Sequence, residues 1–512
     1  MKINIIKNNS KYFLGLFLLF GTMGCSDFLE ESDPSNLTPD SFYTTAKHAE
    51  AAIAAAYADT RFIGDGAGIF SSNWQLLLAP TGTTTTQTAQ NSDLNNLYSL
   101  SYDENTGHVK NWWRGIYKLI GNTNLVLENV PGIPMDEAEK ARVLGEARFL
   151  RAWAYFMAVR IWGDIPLITL PQSATSEDFF PVRSPQSEVY ALIVSDLLEA
   201  ESAGLPWTDE SGRVSQSAVK ALLSKVYLTM AGHPLNETAR YADAASKAKE
   251  IIDNPGPIDL FETYGQVHDE SLNNTVEHIF GIQYNNLVAD NPMGNMRPNF
   301  QPVTYRGPDG TGSTIPLPQF YNSYEDGDIR AIDREGWFYT SYYENGSGEL
   351  FDLGAPFIFK HFNVTANGTF GIPGTAKDNL NVPIFRFAEV LLIFAEASNE
   401  AVGPSQDAVD ALKRIRDRAG LETPALGAFD QQSLREAIWK ERWHELAFEM
   451  KIWFDMVRLR QVYNSTTDGF DDFVGHVILN SNQALQEKHL LFPIPGPELI
   501  NNPNLTPQNP GY

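Results

Sequence analysis

The sequence predicts a mainly α-helical protein of helical hairpins packed into one body, with a loop-rich, partly β region inserted between two helical halves. Three observations carry that expectation. The stretch Gly145 to Pro166, GEARFLRAWAYFMAVRIWGDIP, is apolar on almost every side, which marks a helix destined for an interior. Segments of about 15 residues with helical periodicity recur, several of them closed by Gly or Pro. Between about 255 and 380 that period disappears, and Gly, Pro, Asn and aromatic residues take over, as in Gly336-Trp-Phe-Tyr-Thr-Ser-Tyr-Tyr343.

Taken in order, Lys2, Lys7 and Lys11 precede an apolar run from Tyr12 to Phe20, followed by Gly21-Thr-Met-Gly. A basic region, a short apolar core and small residues describe a secretory signal over 1–24, too short to span a membrane. Cys25, the sole cysteine, then begins the mature chain at the position a bacterial lipobox lipidates, although Thr22 and Met23 replace that motif's aliphatic and small residues. One cysteine also excludes an internal disulfide and any multi-cysteine metal site. Residues 25–40, with Ser26-Asp-Phe-Leu-Glu-Glu-Ser-Asp33, read as an acidic tether.

An Ala-rich helix ends at Tyr57 and is broken by Gly64 to Gly68. From Phe70 to Tyr102 the composition turns to Ser, Thr, Asn and Gln, which predicts long surface loops. Helix resumes from Asn111 to about Val130, where Pro131-Gly-Ile-Pro stops it, and again from Glu137 to Trp162. Further helices near 185–203, 215–231 and 238–253 complete an N-terminal helical region, 41–254. These paired helices resemble tetratricopeptide hairpins. After the insert, 255–380, a C-terminal helical region covers 381–512, with helices over Pro383 to Glu400, 405–419 and 432–460 before a Pro/Asn-rich tail.

From Ala147 to Val159 the only polar side chains are Arg148, Arg151 and Tyr155, which share one helical face. A buried guanidinium needs a carboxylate. Glu389 and Glu396 lie seven apart on the apolar helix after Arg386, and Glu441, Glu445 and Glu449 form a stripe farther on. The expectation is that some of these glutamates pair with Arg148 and Arg151 and tie the two helical halves together. Carboxylates on apolar helices, matched by arginines, argue for pairing rather than for the acid and base of a glycosidase. His444-Glu445 has Phe448 where a helical zinc protease needs a second His. No phosphate loop, Gly-x-Ser-x-Gly or dinucleotide fingerprint occurs. No enzyme and no cofactor is expected, and no acidic loop argues for a structural calcium.

The formal net charge is −25, or about −28 once Lys2, Lys7 and Lys11 leave with the signal. That excludes nucleic acid as the expected partner, because its affinity comes from Lys and Arg on phosphates. A neutral ligand or a partner protein is easier to accommodate.

Several distinctive blocks stand in order over nearly the whole length. They are Cys25-Ser-Asp-Phe-Leu-Glu; Trp113-Arg-Gly-Ile-Tyr with Asn124; Glu146-Ala-Arg-Phe-Leu-Arg-Ala-Trp to Trp162-Gly-Asp-Ile-Pro-Leu; and Ser217-Ala-Val-Lys-Ala-Leu-Leu. Later come Pro383-Ile-Phe-Arg-Phe-Ala-Glu-Val-Leu-Leu, Ile415-Arg-Asp-Arg-Ala-Gly-Leu421, Glu441-Arg with Glu445-Leu-Ala-Phe-Glu, and Asn509-Pro-Gly-Tyr512. Together these blocks resemble the SusD/RagB family of Bacteroidetes surface lipoproteins. The resemblance implies tetratricopeptide-like units under a variable, loop-rich face. It also implies a lipid anchor in the outer membrane with the protein facing outward, a SusC-like TonB-dependent transporter as partner, and a nutrient, most often a glycan, as ligand.

The blocks are scaffold and assign no binding residue. Sugar recognition uses flat rings against C–H faces, with amides and carboxylates on the hydroxyls, and Tyr and Trp suit half-wet sites. By that chemistry the candidates are Asn73 and Trp74 in the first loop-rich stretch, and Tyr284, Trp337, Tyr339, Tyr342 and Tyr343 in the second. Trp337 and Tyr339 alternate as strand residues on one face do, which suggests a shared platform. A surface glycoside hydrolase and a structural lid without ligand are the competing readings.

Overall fold

The computed structural model describes residues 42–66, 71–87, 91–173, 175–176, 179–254, 256–289, 291, 293, 312–344, 350–363 and 379–512. The leader, Cys25 and the rest of the chain before Phe42 lie outside them. The first helices are α1 (Ala46–Asp59), α2 (Ser92–Tyr98), α3 (Gly107–Asn129), α4 (Glu137–Trp162), α5 (Gln186–Glu201), α6 (Gln216–Ala231) and α7 (Arg240–Ile252). After the short α8 (Pro318–Tyr321) come α9 (Phe387–Val402), α10 (Gln406–Arg418), α11 (Gln431–Glu445), α12 (Ile452–Leu459) and α13 (Gly496–Asn501). From α3 to α7 each helix packs on the next, and α9 lies against α6 and α7, so the C-terminal helices extend the N-terminal stack. Among the described residues no helix is long and apolar enough to cross a membrane.

Local chemistry sets α4. The Asp136 side chain accepts from the Ala138 and Glu139 amides, and Glu137 and Glu139 add negative charge to the first turn. Gly163, at φ +76°, ends the helix, and a Cβ there would come within 2.9 Å of Leu491. Between these ends every residue from Ala147 to Val159 is buried except the half-buried Arg148.

The expected partners of the two arginines are corrected. Arg151 grips Asp196 with two bonds of 2.7 and 2.8 Å and donates to Asn124 Oδ1 at 2.9 Å. Arg148 Nε lies 2.8 Å from Glu199. Both acids sit on α5, so neither arginine reaches Glu389, Glu396, Glu441, Glu445 or Glu449. In this antiparallel hairpin two arginines three residues apart meet two acids three apart in reverse order. Arg151→Ala is expected to lower stability by about 2–3 kcal/mol, since it leaves a buried carboxylate without its charged partner. Arg148→Ala is expected to cost no more than about 1 kcal/mol, because its pair is open to water. Urea unfolding midpoints separate the two.

Three stretches differ from the sequence expectation. Much of the Ser/Thr/Asn/Gln-rich segment is interior: residues 73–77 and 79–81 form 3₁₀ turns that are buried throughout. Mutual bonding makes that affordable. Asn73 Nδ2 donates to Phe62 O at 2.8 Å, and Gln75 Oε1 accepts from the Ser72 amide at 2.8 Å. Residues Val382–Arg386 are strand rather than helix, antiparallel to His278–Ile282. The insert therefore leaves and rejoins the helical body at one two-stranded ladder. The helix expected over 432–460 stops at Glu445 and restarts at Ile452, with Phe448 and Met450 in the left-handed region. The carbonyls freed there are taken by buried groups: Lys360 Nζ donates to Glu445 O at 2.7 Å and Ala447 O at 3.0 Å, and Arg386 Nη2 to Glu445 O at 3.1 Å.

Candidate ligand-binding face

The five C-terminal glutamates belong to a buried ionic frame. Arg386 reaches Glu277, Glu445 and Glu449; Arg330 reaches Asp328, Glu441 and Glu445; Arg418 bridges Glu277 and Glu445. Lys360 pairs with Glu449, and Lys451 joins Glu449 to Glu389. Lys225, Arg442 and Arg458 then hold Glu389, Glu396 and Asp455. The cations Lys225, Arg330, Lys360, Arg386, Arg418, Arg442, Lys451 and Arg458 match the acids Glu277, Asp328, Glu389, Glu396, Glu441, Glu445, Glu449 and Asp455 one for one, while Arg416, more open to water, joins Glu441 to Glu325 at the edge. That balance allows so many charges to sit indoors. Burial alone would raise the Glu449 carboxyl, but Arg386, Lys360 and Lys451 together hold it well below the usual range. Burial also raises Glu441, against the pull of Arg330 and Arg416.

This frame and the core around it take up most of the aromatic residues proposed for ligand contact. Trp74 and Trp337 are each 0% exposed, and Asn73, Tyr284 and Tyr339 are buried. Trp337 Nε1 donates to His444 O at 3.1 Å, Tyr264 packs edge-on at 4.6 Å, and Lys360 Nζ stands 3.8 Å from the ring centre. Tyr339 belongs to a separate small core with Leu353, Phe357, Phe359 and Phe362. Trp337 and Tyr339 therefore share no platform, and none of these five side chains presents a face to a ligand. The cause is general: a large ring beneath a long loop gains more by completing the core than by facing water. Tyr342 and Tyr343 lie in the strand Tyr342–Glu344, paired with Leu350–Asp352.

A polar cleft lies elsewhere, where three distant stretches meet. Thr84–Thr85 pairs antiparallel with Ile315–Pro316, and the Gln87 amide donates to Gly312 O at 2.9 Å. Gln75 Nε2 donates to Thr314 Oγ1 at 2.8 Å, and Asn480 Nδ2 to Thr84 O at 3.3 Å. Beside this junction is a cleft of about 470 Å³, with Thr81 and Gly82 on one wall and residues from the hairpins of 461–472 and 477–484 on the other. Gly82, at φ +75°, lets the walls approach; a Cβ there would stand 3.3 Å from Ile478 Cδ1.

Side-chain bonds shape the hairpin wall. Asn464 Oδ1 accepts from the Thr466 amide at 2.9 Å, and its Nδ2 donates to Asp471 at 2.8 Å. His476 Nδ1 lies 2.8 Å from the same Asp471 oxygen. Thr466, Thr467 and Asp472 are exposed at the cleft. The lining offers hydroxyl, amide and carboxylate groups, which can accept from and donate to a polyhydroxylated neutral ligand. The carboxylates there disfavour an anion. This site lies apart from the residues that composition singled out, yet a hairpin signal is present in Val462-Tyr463, the Asn-Ser-Thr-Thr run and Asp468-Gly469. Among the described residues no group of His, Cys, Asp and Glu is arranged to hold a metal ion.

Comparison with known proteins bears on what such a face serves. Residues 334–512 match the family model described as SusD family, and residues 27–228 match one described as starch-binding associating with outer membrane. SusD-like protein P2 of Formosa agariphila is 30% identical over 524 residues, covering 97% of this chain and 98% of its own. The chain belongs to the SusD family. A SusD superfamily protein from Parabacteroides distasonis superposes with a TM-score of 0.84 at 33% identity, over 93% of this chain and 100% of that one. A structure described as a laminarin-binding SusD-like protein shares the fold at a TM-score of 0.71 and 23% identity, over 92% of this chain and 100% of that one. The expected mainly α, SusD-like architecture is the one observed.

Proposed function

We propose that this SusD family member binds a neutral glycan at the cell surface and hands it to a SusC-like TonB-dependent transporter without cleaving it. The observation that carries the reading is the match of residues 27–228 to the starch-binding, outer-membrane-associated family model. The polar cleft at Thr81, Gly82 and the 461–484 hairpins supplies suitable chemistry, and a lipid on Cys25 would supply the anchor. The test is affinity electrophoresis of the mature protein against a panel of neutral polysaccharides, with reducing sugar measured in parallel. Retardation by at least one polysaccharide without release of reducing sugar is expected. Release would identify a glycoside hydrolase instead, and no retardation by any member of a broad panel would favour a lid that binds no ligand. For the anchor, Cys25→Ala is expected to move the protein out of the membrane fraction, and retention there would contradict lipidation.

A further inference from the structure

We infer that a second cleft, of about 420 Å³ between the C-terminal end of α4, α12 and the last residues of the chain, binds a small organic carboxylate with an apolar body. The cations around it set it apart. In a chain of net charge −25, the buried cations of the frame are all matched by acids, whereas three cations lining this cleft form no ion pair among the described residues.

Arg160 is the first of the three. Its guanidinium lies between the Phe156 and Phe454 rings, 3.7 Å from each centre. Nε donates to Phe156 O at 2.8 Å and Nη2 lies 2.9 Å from Met157 Sδ, while among the described residues Nη1 makes no hydrogen bond. The plane is thus held in place with donors to spare, as a fork for a carboxylate needs. Arg460 follows α12 with φ +57°, its Nη1 donating to Val457 O at 3.0 Å. Lys488 Nζ lies 5.3 Å from the Tyr512 ring centre. The one acid lining the cleft, Glu487, is exposed. Burial pushes Arg160 down to about 10 and lowers Arg460 as well, by more than Asp455 and Glu389 near the first or Glu487 near the second restore. Val159, Phe454, Val457, Leu490 and Leu491 give the cleft apolar walls, so an alkyl or aryl body gains from burial while its carboxylate meets the arginines.

The test is isothermal titration of the mature chain with 4-phenylbutyrate as probe and 4-phenylbutanol as its neutral counterpart. The acid is expected to bind about tenfold or more tightly than the alcohol, and Arg160→Gln to weaken it by a similar factor. Arg460→Gln, at the less buried edge of the cleft, is expected to weaken it too and keeps the test decisive if the Arg160 variant fails to fold. Equal binding of acid and alcohol, no binding of the acid at about 10 mM, or unchanged affinity in Arg460→Gln would each overturn the assignment.

Discussion

Arg386→Met is expected to lower stability by about 3–5 kcal/mol, read as a shift in the urea unfolding midpoint at neutral pH. Arg386 is fully buried at the strand-to-helix junction before α9. Its guanidinium reaches Glu277 from the insert's base and Glu445 and Glu449 from the break after α11. Methionine keeps much of the volume but removes the charge, which leaves an excess of carboxylates indoors. Arg418, Lys360 and Lys451 still reach some of these acids, so the loss should fall short of complete unfolding. The contrast with the solvent-open pair of Arg148 and Glu199 is the informative part. A similar small effect in both variants would mean that the frame adds little to the fold.

Trp337→Ala is expected to cost a further class of energy, about 3–5 kcal/mol from the cavity left by a fully buried indole. The ring underlies Lys360, whose amine burial pushes down to about 7 against the pull of Glu449. Removing it opens space beside that amine and takes one of two donors from the His444 carbonyl, leaving the Tyr324 hydroxyl at 3.0 Å. Because the side chain is interior, any loss of glycan binding in this variant should track the unfolded fraction. Trp337→Phe is expected to retain binding with a smaller loss of stability. Thermal unfolding monitored alongside binding separates the two effects.

The legibility of the sequence was uneven for physical reasons. An all-apolar helix such as Ala147 to Val159 has one kind of home, and periodicity with Gly and Pro stops marked most helices well. Charge pairing was less readable, because a carboxylate's partner depends on which helices become neighbours. The pairs Arg148–Glu199 and Arg151–Asp196 could have been found from their matched spacing, whereas Arg330 with Glu441 required the path of the insert. Polar composition misled over residues 73–84, since Asn, Gln and Thr can be buried when they satisfy one another. The same reasoning misplaced Trp74 and Trp337: aromatic residues in a loop-rich stretch are as suited to a core as to a sugar. The break at Leu446 to Lys451 had no Gly or Pro to announce it, and rests on long-range bonds to Lys360 and Arg386.

These differences move the candidate binding determinants from the buried rings to the exposed polar wall at Thr466, Thr467 and Asp472. On the proposed function, the frame of matched charges would serve as support and the polar cleft as the place of contact. The most direct measurement is the affinity of one retarding polysaccharide for the mature protein, for Thr466→Ala combined with Asp472→Ala, and for Trp337→Phe, each with its thermal midpoint. The cleft variant is expected to bind about tenfold more weakly with an unchanged midpoint, while Trp337→Phe keeps its affinity and melts earlier. Full affinity in the cleft variant, with specific loss in a well-folded Trp337→Phe, would contradict the placement of the site.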